Sequence, residues 1–291
     1  MERELLATTT TTSPPGVRLP RMAIVEGRGV LLHEECDPKR VERLSERLQQ
    51  DGFLKNPPIA TPLDRLPGPL VVLDGANRVM ALSNLGYPYQ LVQIVDYFDP
   101  AITLDVWRHL LLDIPGVELI ERIAGAVGTR IERVPPEEAQ AHLRRGEILC
   151  AVTLPGGASY TVGQASDLLS NVELLARVVE VYKYTARIYR VQGDDLAALS
   201  QEYGGAEALV SFPPFTKEEI LAIAQNGAKL PTGITRHVIP GRALRVNLPL
   251  ELLEGSAPVD QANSRLQELI REKLRDHRVR FYPEATVLFD E

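Results

Sequence analysis

Leu70-Val71-Val72-Leu73 is a run of four apolar residues, two of them β-branched, as a buried strand requires. Asp74-Gly75 follows as a turn. Ala76, Val79, Met80, Leu82 and Leu85 then recur at helical spacing, and Gly86 supplies a C-terminal stop. The same reading predicts a strand at Met22–Val25. Asp37-Pro38 reads as an N-cap with proline at the first helical position, and Val41, Leu44 and Leu48 mark one face of a helix ending near Asp51-Gly52. Asn56–Ala60 reads as a short strand and Pro62–Pro69 as a loop, while Val92, Ile94 and Val95 mark another buried strand. Ile102, Leu104 and Val106 alternate, so Ala101–Leu111 reads as a strand, with helix an open alternative.

In the second half, helices are expected over Val117–Val127 and Pro136–Arg145, the latter acidic at its start and basic at its end, matching the helix dipole. Ile148–Leu154 and Ser159–Val162 flank Pro155-Gly156-Gly157, a hairpin signal. Asp167–Ala186 reads as a longer amphipathic helix, with Tyr182, Tyr184 and Tyr189 expected to pack at an interface. Thr216 with Glu219 forms a capping box after Ala208–Phe215. Ala262–Leu274 reads as a final amphipathic helix and Thr286–Phe289 as a strand-like tail. Met1–Gly16, with its Thr8–Thr12 run and Ser13-Pro-Pro-Gly16, reads as a flexible tail. The expected class is α+β, or mixed α/β. A tail over residues 1–19 precedes a core over 20–112, and an α+β part over 113–291 returns to close a cleft.

Composition narrows the chemistry. At 291 residues, 44% hydrophobic and 24% charged, the chain has an ordinary globular balance. A formal net charge of −7 argues against a dedicated non-specific DNA binder, which needs a basic face for phosphates. Two distant cysteines, Cys36 and Cys150, make neither a disulfide framework nor a cysteine zinc site. No apolar run approaches membrane-spanning length and no signal-peptide core is present, so a cytoplasmic protein is expected.

A strand, an Asp-Gly turn and a helix make a phosphate-binding geometry, because the first helical N–H groups are unpaired and the dipole favours an anion. Arg78 in the first turn suits phosphate. The same residues also make an ordinary N-cap. His33-Glu34-Glu35 enters the first helix and, on composition alone, reads as a solvated turn. Thr235, Arg236, His237 and Arg242 cluster in a Gly/Pro-rich connection. Arg236 there suits a bidentate carboxylate clamp, and the alternative is a surface loop paired with acids. Trp107, the single tryptophan, reads as core packing, and Cys36 as a small packing residue.

Asp74-Gly-Ala-Asn-Arg78, its Ala-Leu helix, Leu85-Gly86 and Gln90–Tyr97 together resemble the ParB/sulfiredoxin superfamily. Within it, His33-Glu34-Glu35 and Thr235-Arg236-His237 are most similar to the free L-serine kinases. That resemblance implies a ParB/sulfiredoxin-like nucleotide-binding core and a phosphotransferase. It would make the O-phospho form of L-serine, or of a similar small amino acid, from ATP or ADP with Mg²⁺. It implies Glu35 as catalytic base, with Glu34 the fallback. Asp74 would hold metal or phosphate, and Gly75, Ala76, Asn77 and Arg78 would form the phosphate turn. Trp107, Thr235, Arg236 and His237 would line the serine site. The chain departs from the kinase pattern Asp-Gly-His-His-Arg at Ala76 and Asn77. Asn77, in the second histidine's place, can donate a hydrogen bond but carries no charge. Sulfiredoxin chemistry needs a cysteine where Ala76 stands. The alternative is a ParB-like nucleotide-binding DNA-binding or transcriptional regulatory protein, although Gly75–Arg78 keeps only the last arginine of that branch's charged turn. A scaffold that keeps the fold without activity is the third reading.

Overall fold

A computed structural model describes residues 19–64 and 66–282. The expected N-terminal tail over Met1–Gly16 and the strand at Thr286–Phe289 lie outside the described residues. The chain is mixed α/β, built on a five-stranded and a six-stranded sheet.

In the first sheet, Arg21–Glu26 pairs antiparallel with Tyr89–Ile94, which runs parallel to Ile59–Pro62. Ile59–Pro62 pairs antiparallel with Leu70–Asp74, and Val30–Leu32 lies parallel on its far side. Leu70–Leu73 is buried on both faces, as its unbroken apolar run requires. Helix α1, Pro38–Asp51, starts where Asp37 accepts the N–H groups of Lys39 and Arg40 and stops at Gly52 in the left-handed region. Helix α2, Ala76–Asn84, follows Leu70–Asp74 and buries Val79, Ala81 and Leu82.

The six-stranded sheet is antiparallel throughout, in the order Arg187–Val191, Arg108–Leu112, Ala208–Ser211, Cys150–Thr153, Ser159–Val162, Ile131–Val134. The hairpin around Gly156-Gly157 is its centre-right portion. The expected strand over Ala101–Leu111 divides at Trp107. Thr103–Val106 pairs with Thr235–Val238, whereas Arg108–Leu112 joins the six-stranded sheet. The alternation of Leu104 and Val106 belongs to the first of these strands alone, and the second is buried from His109 to Leu112. The helix expected over Asp167–Ala186 is shorter, Leu168–Glu180, and turns follow it. Tyr182 is fully buried rather than at an interface, with its hydroxyl on His109 Nδ1 at 2.8 Å, while Tyr184 is exposed.

The chain's return joins the two halves. Leu230 bridges to Glu34, and its N–H donates to the His33 carbonyl at 2.8 Å. Val246, Leu248, Leu250, Leu253, Ala262 and Leu266 then pack in one cluster with Ile24, Val41, Leu48 and Leu54. The packing thus divides differently from a cut at residue 112, because the last helix, Val259–Arg275, covers the first strand. Asn263 caps that strand's edge. Its Oδ1 accepts the Ile24 N–H at 2.9 Å and its Nδ2 donates to the Ile24 carbonyl at 2.7 Å.

Candidate active site

One cleft of about 900 Å³ lies where the first sheet, α1, α2 and the returning segment meet. Its lining includes Glu34, Asp74–Arg78, Trp107, Arg190 and Thr235–His237, together with Arg40, Arg43 and Arg47 of α1.

At one end is the turn into α2. Gly75 is its N-cap at φ 96°, and no side chain caps the helix, so its opening amides face the cleft with the positive end of the dipole. Arg78 does not reach outward as a simple phosphate clamp. Its Nη1 donates to the carbonyls of Asn56 at 3.0 Å and Pro57 at 3.1 Å, and its Nη2 to Asp74 Oδ2 at 3.2 Å. Arg242 Nη1 meets the same oxygen at 2.6 Å. Burial alone would raise the Asp74 pKa, but Arg78 and Arg242 outweigh it and hold the carboxylate ionised, below its ordinary value. Asn77 Oδ1 accepts the Asp37 N–H at 2.9 Å, tying α2 to the start of α1 and leaving its amide N–H groups as what it can offer a phosphate.

At the other end is Glu34. Its Oε1 accepts from Thr232 Oγ1 at 3.2 Å and its Oε2 from Thr235 Oγ1 at 3.0 Å. Burial raises its pKa, against the Gly233 N–H, Thr235, Arg190 and Thr232, which pull it down. Glu35 is placed differently. Its side chain is not part of the cleft lining, and its backbone N–H donates to the Leu230 carbonyl at 2.7 Å. The strand alternation in Thr235–Val238 buries Thr235 and His237 and leaves Arg236 more accessible. His237 Nε2 lies in hydrogen-bond contact with the Tyr97 hydroxyl at 2.8 Å, and burial first, then neighbouring His33, lowers its pKa to about 3. Arg236 lies 5.0 Å over the Trp107 ring and 3.5 Å from Asp105 Oδ2.

The structure therefore gathers Glu34, Asp74, Gly75, Ala76, Asn77, Arg78, Trp107, Thr235, Arg236 and His237 around one space, and leaves Glu35 out of its lining. Residues not foreseen are Arg190 and the arginines of α1. Arg190 Nη2 donates to Thr232 Oγ1 at 3.3 Å, and its guanidinium lies where a side chain on Gly233 would stand. Arg40, Arg43 and Arg47 are spaced i, i+3, i+7, so they share a face. That spacing is visible in the sequence, but which cavity the face borders is not. Among the described residues no group of three or more His, Cys, Asp or Glu side chains is placed to hold a metal, and no helix is long and apolar enough to cross a membrane.

No protein-family profile matches the chain. The ATP-dependent L-serine kinase SbnI of Staphylococcus aureus is 25% identical over 263 residues, 89% of this chain and 93% of the relative. An ATP-dependent L-serine kinase of Staphylothermus marinus is 28% identical over 227 residues, 77% of this chain and 88% of the relative. The structure of SbnI with a C-terminal truncation matches with a TM-score of 0.70 at 22% identity, over 87% of this chain and 97% of that one. A free serine kinase carrying a glutamate-to-glutamine substitution, in complex with AMP, matches with a TM-score of 0.69 at 20% identity, over 81% and 95%. At these identities the structural likeness is one of fold.

Proposed function

We propose that this protein is a kinase of free L-serine, or of a similar small amino acid, transferring a phosphoryl group from ATP or ADP to the substrate hydroxyl. The carrying observation is the enclosed Glu34 carboxylate facing the same cleft as the uncapped start of α2. The names of the curated relatives support the same reaction. The resemblance of the Asp74–Arg78 turn to that of the ParB/sulfiredoxin superfamily supports this reading, and neither the relatives nor the matched structures speak for that superfamily's DNA-binding branch.

The opening amides of α2 and the arginines of α1 hold the phosphate chain. Arg236, kept on Trp107, takes the substrate carboxylate, and Thr235 and His237 complete the pocket wall. Glu34, rather than Glu35, accepts the hydroxyl proton as the substrate oxygen bonds to phosphorus and the bond to the nucleotide's bridging oxygen breaks, with the charge departing on the nucleotide. The donor set fits one Mg²⁺, which needs a carboxylate or two beside substrate phosphates. Asp74 is ionised at the phosphate end and would be its protein ligand. When bound, the ion would neutralise charge on the phosphate oxygens.

The test is phosphoserine formation from L-serine with Mg²⁺ and ATP or ADP, alongside a panel of other amino acids. We expect E34Q to lose at least about 10²-fold in kcat, the usual worth of a positioned base, and E35Q to stay near wild type. Undiminished transfer in E34Q, or none to any acceptor in the wild type, overturns the assignment.

A further inference from the structure

Beside Glu34 the hydrogen bonds are one proton short. His33 is buried, and its Nδ1 lies 2.7 Å from the Val72 carbonyl. A carbonyl only accepts, so Nδ1 carries the hydrogen. Burial holds the His33 pKa at about 4, so the ring is neutral near pH 7 and Nε2 bears a lone pair. That lone pair faces Thr235 Oγ1 at 3.1 Å. On its other side the same hydroxyl faces Glu34 Oε2 at 3.0 Å. With Glu34 ionised, Thr235 has one hydrogen for two acceptors at nearly equal distance. With a proton on Glu34, every contact is satisfied: Glu34 donates to Thr235 Oγ1, and Thr235 donates to His33 Nε2.

We infer that Glu34, Thr235 and His33 form a hydrogen-bond relay in which His33 is a positioning residue for the base, accepting the Thr235 hydrogen whenever Glu34 is protonated. This rests on the reading of Glu34 as base. The substrate O–H bond breaks and its proton goes to Glu34 Oε2. Thr235 keeps its proton and only turns it from Glu34 to His33. The reverse turn accompanies release of the proton from Glu34 to solvent. The other groups around the relay are Arg190 and Thr232, which favour ionised Glu34, Cys36, and His237, whose ring edge meets His33 at a centroid distance of 5.3 Å. None of these takes the hydrogen of Thr235.

The relay stabilises protonated Glu34, so removing the acceptor must lower the Glu34 pKa. A purely packing role for His33 moves stability and leaves that pKa in place. The measurement is the Glu34 carboxyl titration by ¹³C NMR on the full chain, assigned by its loss in E34Q. In His33→Phe the midpoint should fall by about one pH unit, the worth of one hydrogen bond. His33→Gln, whose amide can donate to Val72 and accept from Thr235, should keep the wild-type midpoint. In a Thr235→Val background, His33→Phe should shift nothing. A second readout needs no substitution: by ¹⁵N NMR of the wild type, His33 should stay neutral while its Nε2 resonance moves with the Glu34 midpoint. A His33→Phe midpoint at or above wild type, or an Nε2 signal indifferent to Glu34, overturns the relay. Neither outcome touches the kinase reading, which stands or falls on phosphoserine formation and its loss in E34Q.

Discussion

Gly75 shows how much one residue decides at this site. Its φ of 96° lets the chain leave Leu70–Asp74 and start α2 without a side-chain cap. A Cβ there would stand 3.0 Å from Pro58 Cα and 3.0 Å from Arg78 Nη2. We expect Gly75→Ala to cost about 1–2 kcal/mol for the left-handed backbone alone, measured by urea denaturation, and to raise the KM for nucleotide as the opening amides are displaced. The turn was legible because Asp-Gly stands between an apolar run and a helical repeat, although the same letters also fit an ordinary N-cap, so its geometry could be read and its use could not. The direction of Arg78 was not, since its partners Asn56, Pro57 and Asp74 are brought to it only by the sheet. For the same reason Glu34 and Glu35 are equivalent as letters. The bridge to Leu230 fixes which of the two borders the cleft.

At the scale of elements, α1 does two jobs with two faces. Val41 and Leu48 are buried beneath it, while Arg40, Arg43 and Arg47 border the cleft. Arg40 and Arg43 are exposed cations without a carboxylate partner among the described residues. We expect the R40A/R43A double variant to weaken nucleotide binding about tenfold, with kcat little changed and the difference shrinking as salt rises, in a steady-state KM series. The apolar face was read correctly from its spacing. The basic face carried no such signal, because a charged stripe on a helix is by default a solvated surface. Likewise the alternation over Ala101–Leu111 announced a strand, but not that Trp107 would divide it between two sheets with its N–H on the Ile234 carbonyl at 2.8 Å.

The whole molecule buries three neutral imidazoles where the parts meet. His33 and His109 have their pKa lowered to about 4 and His237 to about 3, burial being the main cause in each. The folded values lie below the ordinary value of 6.5, so between pH 6.5 and 4 the unfolded chain binds more protons. Stability is therefore retained above pH 6.5 and lost as the pH falls through that window. Three such groups give a limiting slope of about 4 kcal/mol per pH unit. Denaturant unfolding at pH 7, 6 and 5 should show a steep decline, made shallower by about a third in His109→Gln. A stability flat across this range would show that these rings ionise without penalty.

What the sequence determined by itself is local: strands where apolar runs or alternation fit a pleat, helices where caps and a 3.6 period agree, and the strand–turn–helix unit at Asp74–Arg78. These depend on interactions among near neighbours, which the order of residues specifies directly. The tertiary structure alone decided what distant residues do together. It set Glu34 against Thr235 and Thr232, turned Arg78 inward, brought Arg190 behind Gly233, and laid the chain from Val246 to Leu266 over the first sheet. Those pairings are fixed by how the return segment and the two sheets bury their apolar faces, a condition on the whole chain that no short stretch of it contains.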